Sequence, residues 1–313
     1  MSTLTCMHES KYGVDCRSAM SELVQIQTDS NPVFAKLEFV GGRTASIKDR
    51  VVDYMIDQAI DSGELSVGGT VVEATSGSTG IAAAVSCKRR GLSFVTVLPA
   101  SVPQEKVHII KLLGGKVILV ESGGITAAQE KAAQLASENG WFCMNQFRNP
   151  NHWKAHHTTA AELVHQLGVH SDRFTLCVGV GTGATLTGIY DYCVNRGIDV
   201  RPIVARLNPN AKRLKDFGFA PVGLDNLYER RKAQDPKFRS AVEEIQVDEP
   251  EAEAAFVRLL SSAYPVGPAS AVNFAVASRL AASWDSHGPV VTIFTDRMER
   301  YLSNILSAGS DRS

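Results

Sequence analysis

The stretch Val71-Val72-Glu73-Ala74-Thr75-Ser76-Gly77-Ser78-Thr79-Gly80-Ile81-Ala82-Ala83-Ala84 decides the fold. Its first residues form a short apolar run rich in Val, as a strand buried on both faces requires. Its last residues open an apolar helix, and small and hydroxyl residues fill the turn between them. Strand, small-residue turn, helix is the repeating unit of a parallel sheet covered by helices. More hydroxyl and glycine residues stand in the turn than one helix cap needs. Their free N–H groups and hydroxyls at a helix N-terminus make a site suited to a carboxylate.

The same alternation runs outward in both directions. Strands are predicted over 71–75, 94–99, 116–121, 141–146, 175–180, 202–207 and 290–295. Helices are predicted over 48–62, 80–90, 103–113, 126–139, 157–167, 186–196, 249–263 and 271–285. At 313 residues the chain has room for two domains, taking about 150 residues for each. The polar turn after residue 146 suggests the boundary: an α/β domain over 1–146 and a second over 147–313. The first 40 or so residues are expected to pack on the second. The fold class is α/β, two doubly wound domains with central, mostly parallel sheets.

Apolar residues make up 44% and charged residues 21%, with a net charge of −1. A balanced charge removes the basic field that sequence-independent nucleic-acid or acidic-membrane binding needs. The longest apolar run falls short of the ~20 residues of a membrane helix, and the N-terminus lacks the pattern of a secretory signal. Six scattered cysteines form no CxxC pair, which reads as reduced thiols in a cytoplasmic protein. The 206–244 region concentrates Lys212, Arg213, Lys215, Arg230, Arg231 and Lys232. It reads as solvated loop and helix, or as a rim over a site for an anionic substrate.

Two more constellations carry chemistry. Lys48 follows the small-residue loop Gly41-Gly42-Arg43-Thr44-Ala45-Ser46-Ile47 and opens a helix with Val51, Val52, Met55, Ile56 and Ile60 on its apolar face. A lysine so placed points into a crevice, where desolvation lowers the amine's pKa and makes it a nucleophile toward aldehydes. Gly179-Val180-Gly181-Thr182-Gly183-Ala184-Thr185 again joins a strand to a helix. Its glycines let backbone approach phosphate oxygens, and Thr182 and Thr185 add hydroxyls. Ala184 breaks the GxGxxG pattern and the acidic partner some twenty positions on is missing, so a single phosphate is the better guest than a dinucleotide. His152, His156 and His157 cluster without a Cys or acid at metal-ligand spacing, so no metal is expected. They read as loop and helix-start histidines, and Cys177 and Cys193 as core residues.

A reactive lysine, a carboxylate loop and a phosphate loop in one α/β chain suit pyridoxal 5′-phosphate. The chain also resembles a known family. AKLEFVGGRTASIKDR (35–50), VVEATSGSTGIAAA (71–84), MNQFRNP (144–150) with AHHTT (155–159), VGVGTGATLTG (178–188) and TDRMERYLS (295–303) follow the order and spacing of cysteine synthases, the O-acetylserine sulfhydrylases. The cystathionine β-synthase core, another fold-type II pyridoxal-phosphate enzyme, shares them. The resemblance implies that Lys48 is the Schiff-base lysine. Thr75, Ser76, Gly77 and Thr79, assisted by Gln146, would grip the substrate's α-carboxylate. Gly181, Thr182, Gly183, Ala184 and Thr185 would form the phosphate cup, and Ser78 would stand at the cofactor's 3′-oxygen. A serine of the segment Gly267-Pro268-Ala269-Ser270 would face the pyridine nitrogen, with Ala269 or Ser270 at that place.

Four departures from the family pattern stand out: Ser78 for asparagine, Ala184 for glycine, alanine and serine at 269–270, and KRLKDFGFAPVGLDNL (212–227) for a glycine-rich segment near the substrate entrance. The implied activity is β-replacement on an O-activated serine-type amino acid through an aminoacrylate, with a nucleophile as second substrate, in a homodimer. The rivals are a β-eliminase or serine/threonine dehydratase, a non-catalytic relative, and a nucleotide-binding oxidoreductase resting on the glycine loop alone.

Overall fold

The computed structural model describes residues 20–170, 172–211, 225–283 and 287–303. Two sheets, each flanked by helices, form the architecture. The smaller has four parallel strands in the order β5-β4-β3-β6, where β3 is Thr70–Ala74, β4 Ser93–Pro99, β5 Lys116–Val120 and β6 Phe142–Cys143. The larger has six in the order β1-β2-β10-β7-β8-β9: Leu23–Ile26, Val33–Leu37, Val290–Phe294, Arg173–Gly179, Asp199–Leu207 and Glu243–Val247. Among the strands of the described residues only the β1–β2 pair is antiparallel. Val33, Phe174, Leu176, Val291 and Ile293 are fully buried, as a sheet covered on both faces demands.

Eleven helices connect the strands among the described residues. The ones that shape the site are α1 (Lys48–Asp61), α2 (Ser78–Arg89), α3 (Gln104–Leu112), α5 (Asn151–Lys154), α6 (His156–Leu167), α7 (Ala184–Val194), α8 (Leu227–Gln234) and α11 (Pro268–Ala282). The others are α4 (Gly124–Asn139), α9 (Pro236–Ala241) and α10 (Glu249–Ser261).

Several expected bounds shift for identifiable reasons. The strand expected over 141–146 shrinks to β6, because Asn145 adopts a left-handed φ of 49° and turns the chain away. Helix α11 starts at Pro268 rather than 271, since proline is preorganised for the first helical turn. Strands β1, β2 and β9 and helices α5, α8 and α9 were not anticipated from periodicity. Most of the 212–227 segment lies outside the described residues; Asp225, Asn226 and Leu227 lie inside.

Lys36 explains why β2 is hard to read. It is fully buried in a strand, and its amine donates to Ser21 O at 2.7 Å, Glu162 Oε2 at 2.9 Å and Gln166 Oε1 at 2.9 Å. Glu162 also accepts two bonds from Arg50, both 2.7 Å, and Arg50 donates to Glu38 at 2.6 Å. This network ties β2 and α6 to the first turn of α1, and so fixes the helix that begins at Lys48. Burial alone would raise the Glu162 pKa, but its bonds to Arg50 and Lys36 outweigh that and hold it below the ordinary value.

A carboxylate with a depressed folded-state pKa stabilises the fold above its unfolded value and loses that contribution as pH falls through the folded value. Urea unfolding is therefore expected to show stability declining below about pH 4.5. Glu162→Ala should remove about 3–5 kcal/mol at neutral pH by stranding Lys36 and Arg50, and should flatten the acid decline. A variant with unchanged stability would refute the role given to the network.

Candidate active site

The site lies where the C-terminal ends of parallel strands meet, the usual place for a ligand in open α/β sheets. Ile47 N donates to Thr295 O at 2.8 Å, and Ser46 forms a bridge with Asp296. The segment before Lys48 is thus pinned to the end of β10 in the larger sheet. The Lys48 amine makes no hydrogen bond or ion pair among the described residues. Desolvation lowers its pKa, against the opposing pull of Asp296 and Glu73.

The loop 75–79 leaves β3 and enters α2. Gly77 takes φ +123°, and a Cβ there would sit 2.3 Å from Lys106 Cδ, so the close approach of Lys106 requires glycine. Gly77 N donates to Thr75 Oγ1 at 3.0 Å, and Thr79 Oγ1 donates to Gln146 Oε1 at 2.7 Å. Gln146 Nε2 donates to Ala74 O at 3.0 Å, and its backbone N–H donates to Glu73 Oε1 at 3.3 Å. Thr75, Gly77, Thr79 and Gln146 are therefore brought into one cluster, with Ser76 exposed at its rim. The Ser78 hydroxyl donates to Asp296 Oδ2 at 3.3 Å across the gap between the sheets.

The loop 179–185 joins β7 to α7. Asn226 Nδ2 donates to Gly181 O at 3.1 Å and Leu227 N to Thr182 O at 2.9 Å, so the start of α8 braces it. Gly183 adopts φ +87°, and a Cβ would fall 2.4 Å from Tyr228 Cβ. Among the described residues no side chain caps α7 except the weak Thr182 Oγ1 contact to Ala184 N at 3.3 Å. Its first N–H groups remain available to an anion. Thr185 Oγ1 meets His156 Nε2 at 3.2 Å.

Ser270 is fully buried, and its hydroxyl accepts from Thr295 N at 3.0 Å; Ala269 is partly open. The Thr295 hydroxyl lies 3.5 Å from both Ser270 Oγ and Asp296 Oδ1. Cys177 and Cys193 are fully buried in the apolar core.

Three residues with no role in the sequence reading, Glu73, Asp296 and Lys106, also belong here, together with His152, which reads from sequence as a loop or helix-start histidine. Glu73 is buried at the end of β3, and desolvation pushes its pKa up to about 8 despite bonds from Gln146 and Asn145. Its Oε2 has no partner. His152, on α5, is buried, and desolvation followed by the Lys48 charge drops its pKa to about 3. Asp296 accepts from the Tyr301 hydroxyl at 2.8 Å. The Lys106 amine stands 4.3 Å over the Tyr301 ring. An acid inside the apolar run Val71–Ala74 was the only signal available for Glu73.

This is an α/β enzyme scaffold with a desolvated amine between two anion-receptive loops. The family model for pyridoxal-phosphate dependent enzymes matches residues 19–296, and the chain belongs to that family. Cysteine synthase B of Campylobacter jejuni is 31% identical over 88% of this chain and 92% of its own. The O-acetylserine dependent cystathionine beta-synthase of Bacillus subtilis is 29% identical over 88% and 90%. The crystal structure of an O-ureido-L-serine synthase superposes with a TM-score of 0.79 at 26% identity, covering 95% of each chain.

The residues present fit the cofactor: an amine with no competing partner, a helix N-terminus with free N–H groups, and a glycine whose missing Cβ lets the cup close on Tyr228. Gly183→Ala should strain the cup by about 1–2 kcal/mol through its backbone alone, with the Tyr228 clash added. Loss of cofactor absorbance on dialysis, faster than in the wild type, is the expected result; equal retention would contradict it.

Proposed function

We propose that the chain catalyses β-replacement on an O-activated serine-type amino acid, exchanging the β-oxygen leaving group for a nucleophile to give cysteine or another β-substituted alanine. The observation that supports this reading is the joining of the 75–79 loop to Gln146, whose backbone N–H donates to Glu73, a carboxyl whose charge acts on Lys48. Thr75, Ser76, Gly77 and Thr79 would hold the substrate carboxylate through hydroxyls and N–H groups. Thr79 and Gln146, bonded to one another, would fix the orientation of that grip.

Bound pyridoxal phosphate supplies an electron sink for the bond broken at the α-carbon. Gly181, Thr182, Gly183, Ala184 and Thr185 would hold its phosphate. Lys48 Nζ would take the α-proton as general base; its lowered pKa favours the unprotonated form that accepts it. The Cβ–O bond breaks with departure of the activated oxygen and its electron pair, a nucleophile's electron pair forms the new bond at Cβ, and Lys48 Nζ would return the proton to Cα. The Ser78–Asp296 contact spans the gap between the sheets and would help exclude water from the reacting centre.

With Ser270 turned to Thr295, Ala269 is the residue of its pair that is partly open. The Ser270 hydroxyl, which accepts from Thr295 N, keeps its own proton, so it would still have a donor for the ring nitrogen. The domain division at 146–147, with the first 40 residues on the second domain, and a homodimer form part of the same proposal. Sedimentation of the purified protein tests the dimer.

Mixing the holoenzyme with O-acetylserine should produce a lasting change in the cofactor's absorption that reverses when sulfide or an amine is added. Pyruvate release without nucleophile would favour elimination, and no response would favour a different substrate or a non-catalytic role. Lys48→Ala should abolish exchange of the substrate α-proton with solvent; retained exchange would remove the base role. Gln146→Ala should raise KM for the amino acid about tenfold, the cost of a lost charge-assisted contact.

A further inference from the structure

We propose that His156 is a positioning residue for the phosphate cup: protonated on Nε2, it donates to Thr185 Oγ1 and leaves the Thr185 hydroxyl proton for a phosphate oxygen. The inference rests on the reading of the 179–185 loop given above and deepens it.

His156 is buried at the start of α6, and both of its ring nitrogens have partners. Nδ1 lies 3.2 Å from Thr159 Oγ1, and Nε2 lies 3.2 Å from Thr185 Oγ1. Gly188 makes this approach possible. A Cβ there would run into Trp153 O and stand 2.8 Å from His156 Cβ, so α7 packs on α5 and α6 only with glycine at that place. Thr185, on the first turn of α7, is thereby brought onto the imidazole.

A neutral imidazole has one N–H and one lone pair, so its two bonds must run in the same sense. Desolvation, followed by the charges of His152, Lys48 and Arg50, keeps the ring from taking a second proton. If Nδ1 held the single proton, it would donate to Thr159 Oγ1, and Thr185 would spend its hydroxyl proton on Nε2. The Thr159 side chain is fully buried, and His156 is the one hydrogen-bond partner of its hydroxyl among the described residues. Its proton would then be buried without an acceptor, which is costly. In the opposite sense every buried proton is used: Thr159 donates to Nδ1, and Nε2–H donates to Thr185 Oγ1. The chain ends on the Thr185 proton, which belongs to a side chain that is partly open.

Thr182 is arranged alike. Its Oγ1 accepts from Ala184 N at 3.3 Å, so its own proton is also unspent. Both hydroxyls of the loop therefore receive a bond from within the fold and keep a proton to give, which suits the acceptor oxygens of a phosphate. The other two histidines of the cluster are engaged elsewhere: His152 Nδ1 meets the Gln146 carbonyl, and His157 Nε2 lies 3.7 Å from Asp191.

The tautomer is the first readout. In the 15N-labelled holoenzyme, with His156 assigned through its backbone, Nε2 should resonate as a protonated nitrogen and Nδ1 as a bare one. The reverse pattern, or two protonated nitrogens at pH 7, would overturn the proposal.

Cofactor retention on dialysis, followed by absorbance, is the second. His156→Asn removes the donor at the Nε2 position and should release pyridoxal phosphate about tenfold faster than wild type. His156→Gln, whose amide N–H reaches that position, should stay within about twofold of wild type. Pyridoxal, which lacks the phosphate, should bind wild type and His156→Asn equally. In a Thr185→Val background His156→Asn should add nothing further, whereas damage to packing alone would add its full effect. Wild-type retention by a folded His156→Asn, an equal loss of pyridoxal, or an additive double variant would each overturn the proposal. If His156→Asn does not fold, the tautomer decides alone. Thr185→Val separates the two levels. Wild-type retention in that variant defeats the cup reading itself, while fast release from it beside wild-type retention by His156→Asn defeats only this inference.

Discussion

The hydrogen bond from Ile47 N to Thr295 O, 2.8 Å long, is the constraint on which the site depends. It ties the residue before Lys48 to the end of β10, in the sheet that also carries the 179–185 loop. The lysine itself opens a helix that packs against α2 and the smaller sheet. One backbone contact therefore sets an amine between loops that belong to different sheets. Glycines at 77 and 183, both with positive φ, let those loops close against Lys106 and Tyr228.

Electrostatics follow from that placement. The amine, Glu73 and His152 share a desolvated region in which each charged form is disfavoured. Lys48 is held toward the free base, Glu73 toward the neutral acid and His152 toward the neutral ring. Lys106, whose amine desolvation lowers to about 8, adds a titratable cation beside Gly77.

The alternation of apolar strands and helices was legible because most strands are buried on both faces. The three loops were legible because glycine and hydroxyl residues directly after a strand have few other uses. What escaped was what tertiary structure creates. Lys36 makes β2 look polar until Glu162, Gln166 and Ser21 are seen around its amine. The alternating polar residues of Glu243–Val247 conceal an edge strand. The histidine triplet looked like loop decoration because nothing in its spacing reveals that α5 rests on α1. Likewise, no sequence feature shows that the Ser270 hydroxyl is buried under Thr295 N while Ala269 is partly open.

Of the departures from the cysteine synthase pattern, Ser78 and Ala184 lie in the 75–79 and 179–185 loops, which keep the hydroxyls of Thr75, Thr79, Thr182 and Thr185. The most direct measurement is borohydride reduction of the native protein followed by digestion and mass spectrometry. The account predicts a pyridoxyl group on the peptide that contains Lys48; a pyridoxyl group on any other lysine, or on none, would contradict it.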